Sequence, residues 1–128
     1  MKYTVVTGAY GGMGRAVVKS LVANEYCVFA LDRKVSEAGD NVIPIETDIT
    51  DPESVKKAFE RVRAVTDELY AIVHFAGIYM LDSLVEIGSE NFAHAFEVNL
   101  FGAFLVNKTF IPLMKKGSRI VITTSELA

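Results

Sequence analysis

The chain has 128 residues, of which 51% are hydrophobic and 23% are charged, and its formal net charge is −3. This length is enough for one domain with a core but not comfortably for two, and the composition is that of a soluble globular protein. The negative charge gives no electrostatic support for a nucleic-acid partner, and no apolar stretch approaches the roughly 20 residues that a membrane helix needs. Cys27 is the only cysteine, which fits a reducing compartment, so we expect a cytoplasmic protein.

The first part of the chain predicts a strand, a helix and two further strands. Residues 2–7 are rich in β-prone side chains, and residues 12–24 carry apolar side chains at helical spacing. Residues 26–31 form a continuous apolar run, which is typical of a strand buried on both faces. Residues 42–47 predict a third strand, although Pro44 weakens that prediction.

The rest of the chain continues the alternation of helices and strands. Thr50 is predicted to cap the next helix, which has Pro52 in its first turn. Residues 69–75 predict a fourth buried strand, residues 89–116 a long helix, and residues 119–124 a fifth strand. This alternation indicates an α/β fold, a doubly wound parallel sheet with helices on both faces.

The position of the last predicted strand bears on the extent of the domain. The sequence ends only a few residues after this strand, and a parallel strand at an open edge exposes unpaired backbone groups. We therefore expect residues 1–128 to form a single domain that is the front part of a longer protein.

The glycine-rich stretch TGAYGGMG, residues 7–14, lies between the first strand and the first helix. Free N–H groups at a helix N-terminus bind phosphate, and glycines let a pyrophosphate approach closely because they have no Cβ. The stretch therefore predicts a nucleotide site, the alternative being a tight turn without a ligand. The residues after its last glycine, Arg15 and Ala16, disfavour a Walker-type phosphate loop.

Asp32 ends the second strand, at about the 20-residue spacing expected for the acid that binds ribose hydroxyls. A carboxylate at this place accepts hydrogen bonds from both hydroxyls and repels a 2′-phosphate. Asp32 therefore favours NAD over NADP, whereas the adjacent Arg33 could pair with a 2′-phosphate. A solvated loop carboxylate is the alternative interpretation.

Motifs along the whole chain resemble those of the short-chain dehydrogenase/reductase family. The stretch TGAYGGMG resembles the family's TGxxxGxG fingerprint, Asp48-Ile49 resembles its acidic–apolar pair beside adenine, and Ala76-Gly77 resembles the second half of its NNAG motif. The stretch VNLFG, residues 98–102, resembles the VNxxG segment, and IVITTS, residues 120–125, resembles the strand that ends in the catalytic serine. Each motif falls at the end of the appropriate strand or within the appropriate helix.

This resemblance implies a Rossmann fold and an NAD(P)-dependent oxidoreductase that interconverts an alcohol and a carbonyl of a small molecule. It implies catalytic roles for Asn99 and Ser125 and no metal site. It also implies that NAD, or less readily NADP, is bound by the glycine loop and the strand-end residues. These residues are Gly8, Tyr10, Gly11, Gly12, Met13, Gly14, Asp32, Arg33, Asp48, Ile49, Ala76 and Gly77.

Three of these residues keep a simpler alternative interpretation. Asn99 could satisfy backbone groups at a bend in the helix, and Asp48 could be a strand-end cap. Ser125 could be an ordinary loop serine, since Thr123 and Thr124 offer rival hydroxyls.

Two departures from the family pattern limit the prediction. His74 and Phe75 replace the first two residues of NNAG, and the resulting HFAG resembles the extended branch of sugar-nucleotide epimerases and dehydratases. The sequence of the long helix favours the simple branch. We expect His74 to be a buried strand residue and His94 to be a helix-surface residue.

The second departure is that none of the five tyrosines has a lysine four positions later, as the family's catalytic Tyr-x-x-x-Lys pair requires. We expect this pair beyond Ala128 and expect no turnover by the 128 residues alone. A dinucleotide-binding module without chemistry is the alternative.

The long helix carries apolar residues on overlapping faces. They are Phe92, Phe96, Leu100, Phe104 and Leu105. Family members pair subunits through this helix, so the resemblance implies a homodimer or homotetramer. The alternative is that all of these side chains pack in the core.

Overall fold

The computed structural model describes residues 1–36, 38–78, 83 and 85–123. Within these residues, five parallel strands form one sheet in the order β3-β2-β1-β4-β5. The strands are β1 (Lys2–Thr7), β2 (Tyr26–Asp32), β3 (Val42–Glu46), β4 (Leu69–His74) and β5 (Met114–Ile122). The helices are α1 (Gly12–Ala23), α2 (Pro52–Arg63), α3 (Ser89–Phe96) and α4 (Gly102–Phe110), and a π-helical turn, Glu97–Phe101, joins α3 to α4. The predicted doubly wound α/β fold is confirmed.

The core lies on both faces of the sheet because the central strands are buried on both sides. Val5 and Val6 of β1 are fully buried and point to opposite faces. On one face, Val5 packs with Val106 and Phe110 of α4 and with the apolar side of α2. On the other face, Val6 belongs to a cluster that α1 covers through Leu21. The continuous apolar runs predicted to be doubly buried strands are confirmed in β2 and β4.

The cap of α2 differs from the prediction. Asp51, rather than Thr50, is the N-cap, because its backbone is extended and its Oδ1 accepts a hydrogen bond from the Glu53 N–H at 3.0 Å. Thr50 instead donates to the carboxylate of Asp48. Pro52 lies in the first helical turn, as predicted.

The long helix ends earlier than predicted, and β5 begins earlier. Residues 89–116 were expected to be helical, but α4 ends at Phe110 and a single 3₁₀ turn, Ile111–Leu113, follows. Pro112 lacks the N–H that the helical ladder needs, and burial of Leu113 anchors the turn. β5 starts at Met114, which pairs with Leu69 of β4, instead of at residue 119. In the middle of β5, the Ser118 hydroxyl donates to the Leu69 carbonyl oxygen at 2.9 Å.

The topology opens a crevice at one edge of the sheet. The chain leaves β1 towards β2 on one side, whereas β4 pairs with β1 on the other side. In open α/β sheets, ligands bind where the strand order reverses, outside the carboxyl ends of the strands. Within the described part of the chain, no helix has the length and apolar character that crossing a membrane requires.

Candidate functional site

A cavity of about 410 Å³ lies at the carboxyl ends of β1 to β4, within the size range of small-molecule sites. The residues that line it come from four strand ends and from the face of α3 and the π turn nearest to them. They are Gly8, Gly11, Leu31, Asp32, Arg33, Thr47, Asp48, Ile49, Thr50, Phe75, Ala76, Gly77, Ile78, His94, Glu97 and Val98. The structure therefore brings together eight of the predicted cofactor residues around one space and places the remaining glycine-loop residues beside it.

The glycines of the loop have two different physical roles. Gly8 has φ +63°, and a Cβ there would lie 2.5 Å from the Ala76 nitrogen. A Cβ on Gly14 would overlap the carbonyl oxygen of Gly8. By contrast, a Cβ on Gly11 would make only an ordinary 3.5 Å contact, and one on Gly12 would enter open space. Gly8 and Gly14 are thus needed to build the turn, whereas Gly11 and Gly12 leave room in front of the helix.

The start of α1 offers backbone donors to a ligand. Gly11 is the N-cap residue and has no side chain with which to cap the helix. The N–H groups of the first turn, at Gly12, Met13 and Gly14, have no partner within a helical ladder. Together with the positive end of the helix dipole, they suit an anionic group such as a pyrophosphate.

Asp32 is held in place by the backbone of the glycine loop. Its Oδ2 accepts a hydrogen bond from the Tyr10 N–H at 3.0 Å, and its Oδ1 accepts one from the Arg33 N–H at 2.8 Å. Arg15 steadies the same loop, since its Nε donates to the Tyr10 carbonyl oxygen at 2.8 Å and its guanidinium lies 5.5 Å from the Tyr10 ring centre. Each carboxylate oxygen of Asp32 keeps lone-pair capacity for a further donor.

Asp48 caps the turn that follows β3 and also lies at the cavity, while its predicted place beside adenine stays a prediction. Its Oδ1 accepts hydrogen bonds from the Thr50 hydroxyl at 2.6 Å and the Thr50 N–H at 3.0 Å, as in a strand-end turn. The same carboxylate lines the cavity. The hydrogen bonds from Thr50 lower its pKa, so Asp48 is ionised at neutral pH.

Ile49 lies between the cavity and the helix behind it. Its side chain is buried and approaches Gly102 so closely that a Cβ there would lie 2.5 Å from the Ile49 Cδ1 atom. The glycine of the VNLFG segment therefore lets the chain at the start of α4 approach this wall of the cavity.

Asn99 fixes the loop that follows β4. Its Oδ1 accepts a hydrogen bond from the Ile78 N–H at 2.7 Å, and its Nδ2 donates to the Ile78 carbonyl oxygen at 2.9 Å. Gly77 is close enough that a Cβ on it would lie 3.0 Å from the Asn99 Oδ1. The geometry thus supports a positioning role for Asn99, and its catalytic role stays a prediction. Ser125 lies outside the described residues.

The predicted placement of His74 is confirmed, because it is buried at the end of β4. Its Nε2 lies 2.7 Å from the Asn107 Oδ1 of α4. Burial lowers the pKa of the imidazole, so His74 is neutral at pH 7.

Sequence reasoning missed several residues of the site. Thr7 was not predicted, although its hydroxyl accepts a hydrogen bond from the Ala76 N–H at 3.2 Å. His94 is exposed, as predicted, but it also lines the cavity with Glu97 and Val98. Glu97 and Val98 follow His94 by three and four residues, which places all three on one helical face. This spacing was the one sequence signal that these residues share a surface.

Comparison with known proteins decides the family. The family model of the short chain dehydrogenases matches residues 2–128. The chain belongs to the short-chain dehydrogenase family. A short-chain dehydrogenase/reductase of Talaromyces stipitatus is 30% identical over 99% of this chain and 54% of its own length.

Solved structures of the family share the fold. A short chain dehydrogenase family protein of Francisella tularensis superposes with a TM-score of 0.90 at 26% identity, over 98% of this chain and 52% of that one. The 3-ketoacyl-(acyl-carrier-protein) reductase of Brucella melitensis, complexed with NADH, gives 0.81 at 25% identity, over 88% of this chain and 50% of that one. The chain spans about half the length of these short-chain dehydrogenases.

Proposed function

We propose that this chain is the NAD-binding part of an oxidoreductase that interconverts an alcohol and a carbonyl of a small molecule. The observation that carries the proposal is the hydrogen bond from the Tyr10 N–H to the Asp32 carboxylate. This bond joins the glycine loop, with its free helical N–H groups, to the acid at the end of the neighbouring strand. In the proposed complex, this bond holds the phosphate site and the ribose site at a fixed spacing.

In the proposed complex, the N–H groups of the first turn of α1 bind the pyrophosphate, and Asp32 accepts hydrogen bonds from the adenosine ribose hydroxyls. Asp48 and Ile49 form the wall beside the adenine base. The negative charge of Asp32 repels a 2′-phosphate, which supports NAD over NADP even with Arg33 beside it. The complex of the Brucella melitensis relative with NADH is consistent with this choice.

At the other end of the cleft, the residues after β4 face the nicotinamide in the proposed complex. When bound, the cofactor supplies the hydride chemistry, and the protein supplies position and proton transfer. Asn99 holds Ile78 through both of its polar atoms and so keeps the Ala76-Gly77 wall in place. In the proposed enzyme, Ser125 polarises the substrate oxygen, and the groups that move the proton lie outside the described residues.

We also propose that the protein forms a homodimer or homotetramer through the outer face of α3, the π turn and α4. This face carries an exposed apolar stripe, which consists of Phe92, Phe96, Leu100 and Phe104. We propose that the protein is located in the cytoplasm, because buried, unpaired Cys27 fits the reducing conditions there.

A direct test is titration with NADH and NADPH, followed by the fluorescence of the nicotinamide. The chain contains no tryptophan, so the dinucleotide signal is free of tryptophan interference. We expect NADH to bind more tightly than NADPH. In Asp32→Asn this preference for NADH should be about tenfold smaller, because the charge that repels the 2′-phosphate is removed. Asp40→Asn, an exposed acid away from the cavity, is the matched control and should leave the ratio unchanged. Absence of binding of both dinucleotides to the unmodified chain would overturn the proposal.

A further inference from the structure

His94 is the one histidine of the described residues that faces the cavity, and none of the family motifs in this sequence includes it. It belongs to the last turns of α3 and shares a helical face with Glu97 and Val98, which also line the cavity. Phe92 and Phe96, two positions away on either side, lie on the opposite, outward face. The imidazole is therefore directed to the cleft rather than to the apolar outer surface.

Asp48 and Ile49, which follow β3, line the same cavity as His94. After the hydrogen bonds from Thr50, the charges of Arg33 and His94 also lower the pKa of the Asp48 carboxyl. The Oδ1 of Asp48 accepts two hydrogen bonds from Thr50, which leaves Oδ2 with capacity for a donor from a ligand.

We propose that His94 is a further contact to the adenine base of the dinucleotide, covering the base from the helix side of the cleft. The inference rests on the proposed function, since it assumes that the adenine end of NAD lies beside Asp48 and Ile49. An adenine base offers a flat ring face and an exocyclic amine that donates hydrogen bonds. The Oδ2 of Asp48 suits the amine, Ile49 suits one part of the ring, and the planar imidazole suits its exposed face.

The test compares His94→Ala with Asn91→Ala, an exposed residue of the same helix that does not line the cavity. The ligands are NADH, ADP-ribose and reduced nicotinamide mononucleotide, which lacks the adenosine half. We expect His94→Ala to weaken the binding of NADH and ADP-ribose by roughly fivefold or more, as loss of a base–aromatic contact does. Its binding of the mononucleotide should equal that of the unmodified chain, and Asn91→Ala should match the unmodified chain for all three ligands.

A second variant separates the ring from general effects on the helix. His94→Phe keeps a planar ring and should bind ADP-ribose within about twofold of the unmodified chain if the ring contact carries the affinity. Circular dichroism of each variant checks that α3 is retained. Equal ADP-ribose affinity of His94→Ala and the unmodified chain overturns the inference, and so does an equal loss for the mononucleotide. Failure of the unmodified chain to bind both NADH and ADP-ribose rejects the proposed function itself, which is a different result.

Discussion

Single side chains tie together segments of the site that lie far apart in the sequence. Asp32 binds the backbone of Tyr10, 22 residues away, and Asn99 binds Ile78, 21 residues away. Both bonds use polar side-chain atoms to fix a loop at the end of a strand. Because such loops carry the cavity wall, their rigidity sets the spacing of the groups that a ligand meets.

The two kinds of glycine in the loop lead to a prediction for the Gly11→Ala substitution. Gly11→Ala should leave the fold intact, since its Cβ would meet the Gly8 carbonyl oxygen at an ordinary 3.5 Å. The added methyl would stand at the wall of the cavity, where the pyrophosphate is proposed to bind. We expect the affinity for NADH to fall at least tenfold, as measured by fluorescence titration, because the phosphate can no longer approach the helix closely.

Gly88→Ala is the matched control for this substitution. Gly88 is also an extended glycine N-cap, with φ −72° and room for a Cβ, but it does not line the cavity. Loss of the glycine cap should lower the free energy of unfolding by a similar amount in both variants, up to about 1 kcal/mol. If Gly11→Ala binds NADH as well as Gly88→Ala does, the pyrophosphate does not lie against the loop.

At the scale of whole elements, the sequence predicted the strands well where their burial left a continuous apolar run. β2 and β4 are such strands, and the alternation of elements was enough to predict the sheet. The start of β5 was missed because Lys115, Lys116 and Gly117 carry no strand signal. These residues join the sheet through a long-range bond, from Ser118 to the Leu69 carbonyl oxygen, which local sequence does not encode.

At the site, too, local sequence patterns were predictive, whereas contacts between distant residues were not. The motifs predicted eight of the residues that line the cavity, because they mark strand ends that a parallel sheet brings to one edge. They did not predict the partners of those residues, such as the Thr50 hydroxyl on Asp48. The sequence placed His94 on the helix surface but did not predict that this surface lines the cavity.

The contact between His74 of β4 and Asn107 of α4 gives a prediction for the pH dependence of folding. Burial lowers the pKa of His74 in the folded chain below its ordinary value, so the unfolded chain binds a proton more readily. The stabilising contribution of neutral His74 is fully present above the unfolded pKa of about 6.5 and is lost progressively as the pH falls from that value through the lower folded pKa. The free energy of unfolding, measured by urea titration, should therefore fall between pH 7.5 and pH 5.5.

His74→Gln isolates this effect, because glutamine does not titrate and its amide can donate to the Asn107 oxygen. We expect the fall in stability between these two pH values to be smaller in His74→Gln by up to about 1 kcal/mol. His94 and the acidic residues are common to both chains and cancel in the comparison. An identical pH dependence for the two proteins would show that His74 binds the same number of protons folded and unfolded.

Among the described residues, the outer stripe of the α3–α4 segment forms an extended exposed apolar surface. Leu100 is 62% exposed and Phe96 is 52% exposed, and the rings of Phe92 and Phe96 lie 4.9 Å apart. Side chains four residues apart drift around a regular α-helix by roughly 40° at each step. The wider π turn, Glu97–Phe101, reduces this drift and keeps the stripe on one side. Leu105, by contrast, packs against the core.

This stripe predicts self-association, which a charge at its centre should abolish. We expect sedimentation equilibrium to give a dimer or tetramer for the unmodified chain and a monomer for Phe96→Lys. The dissociation constant of the oligomer should rise about 100-fold, because a lysine buried in an apolar interface has no partner for its charge. Val65→Lys places the same charge on a similarly exposed apolar residue beyond α2 and should leave the oligomer intact. NADH affinity should persist in Phe96→Lys, because this side chain does not line the cavity. A monomeric unmodified chain, or equal dissociation by Val65→Lys, would instead leave the stripe without a role in pairing two copies.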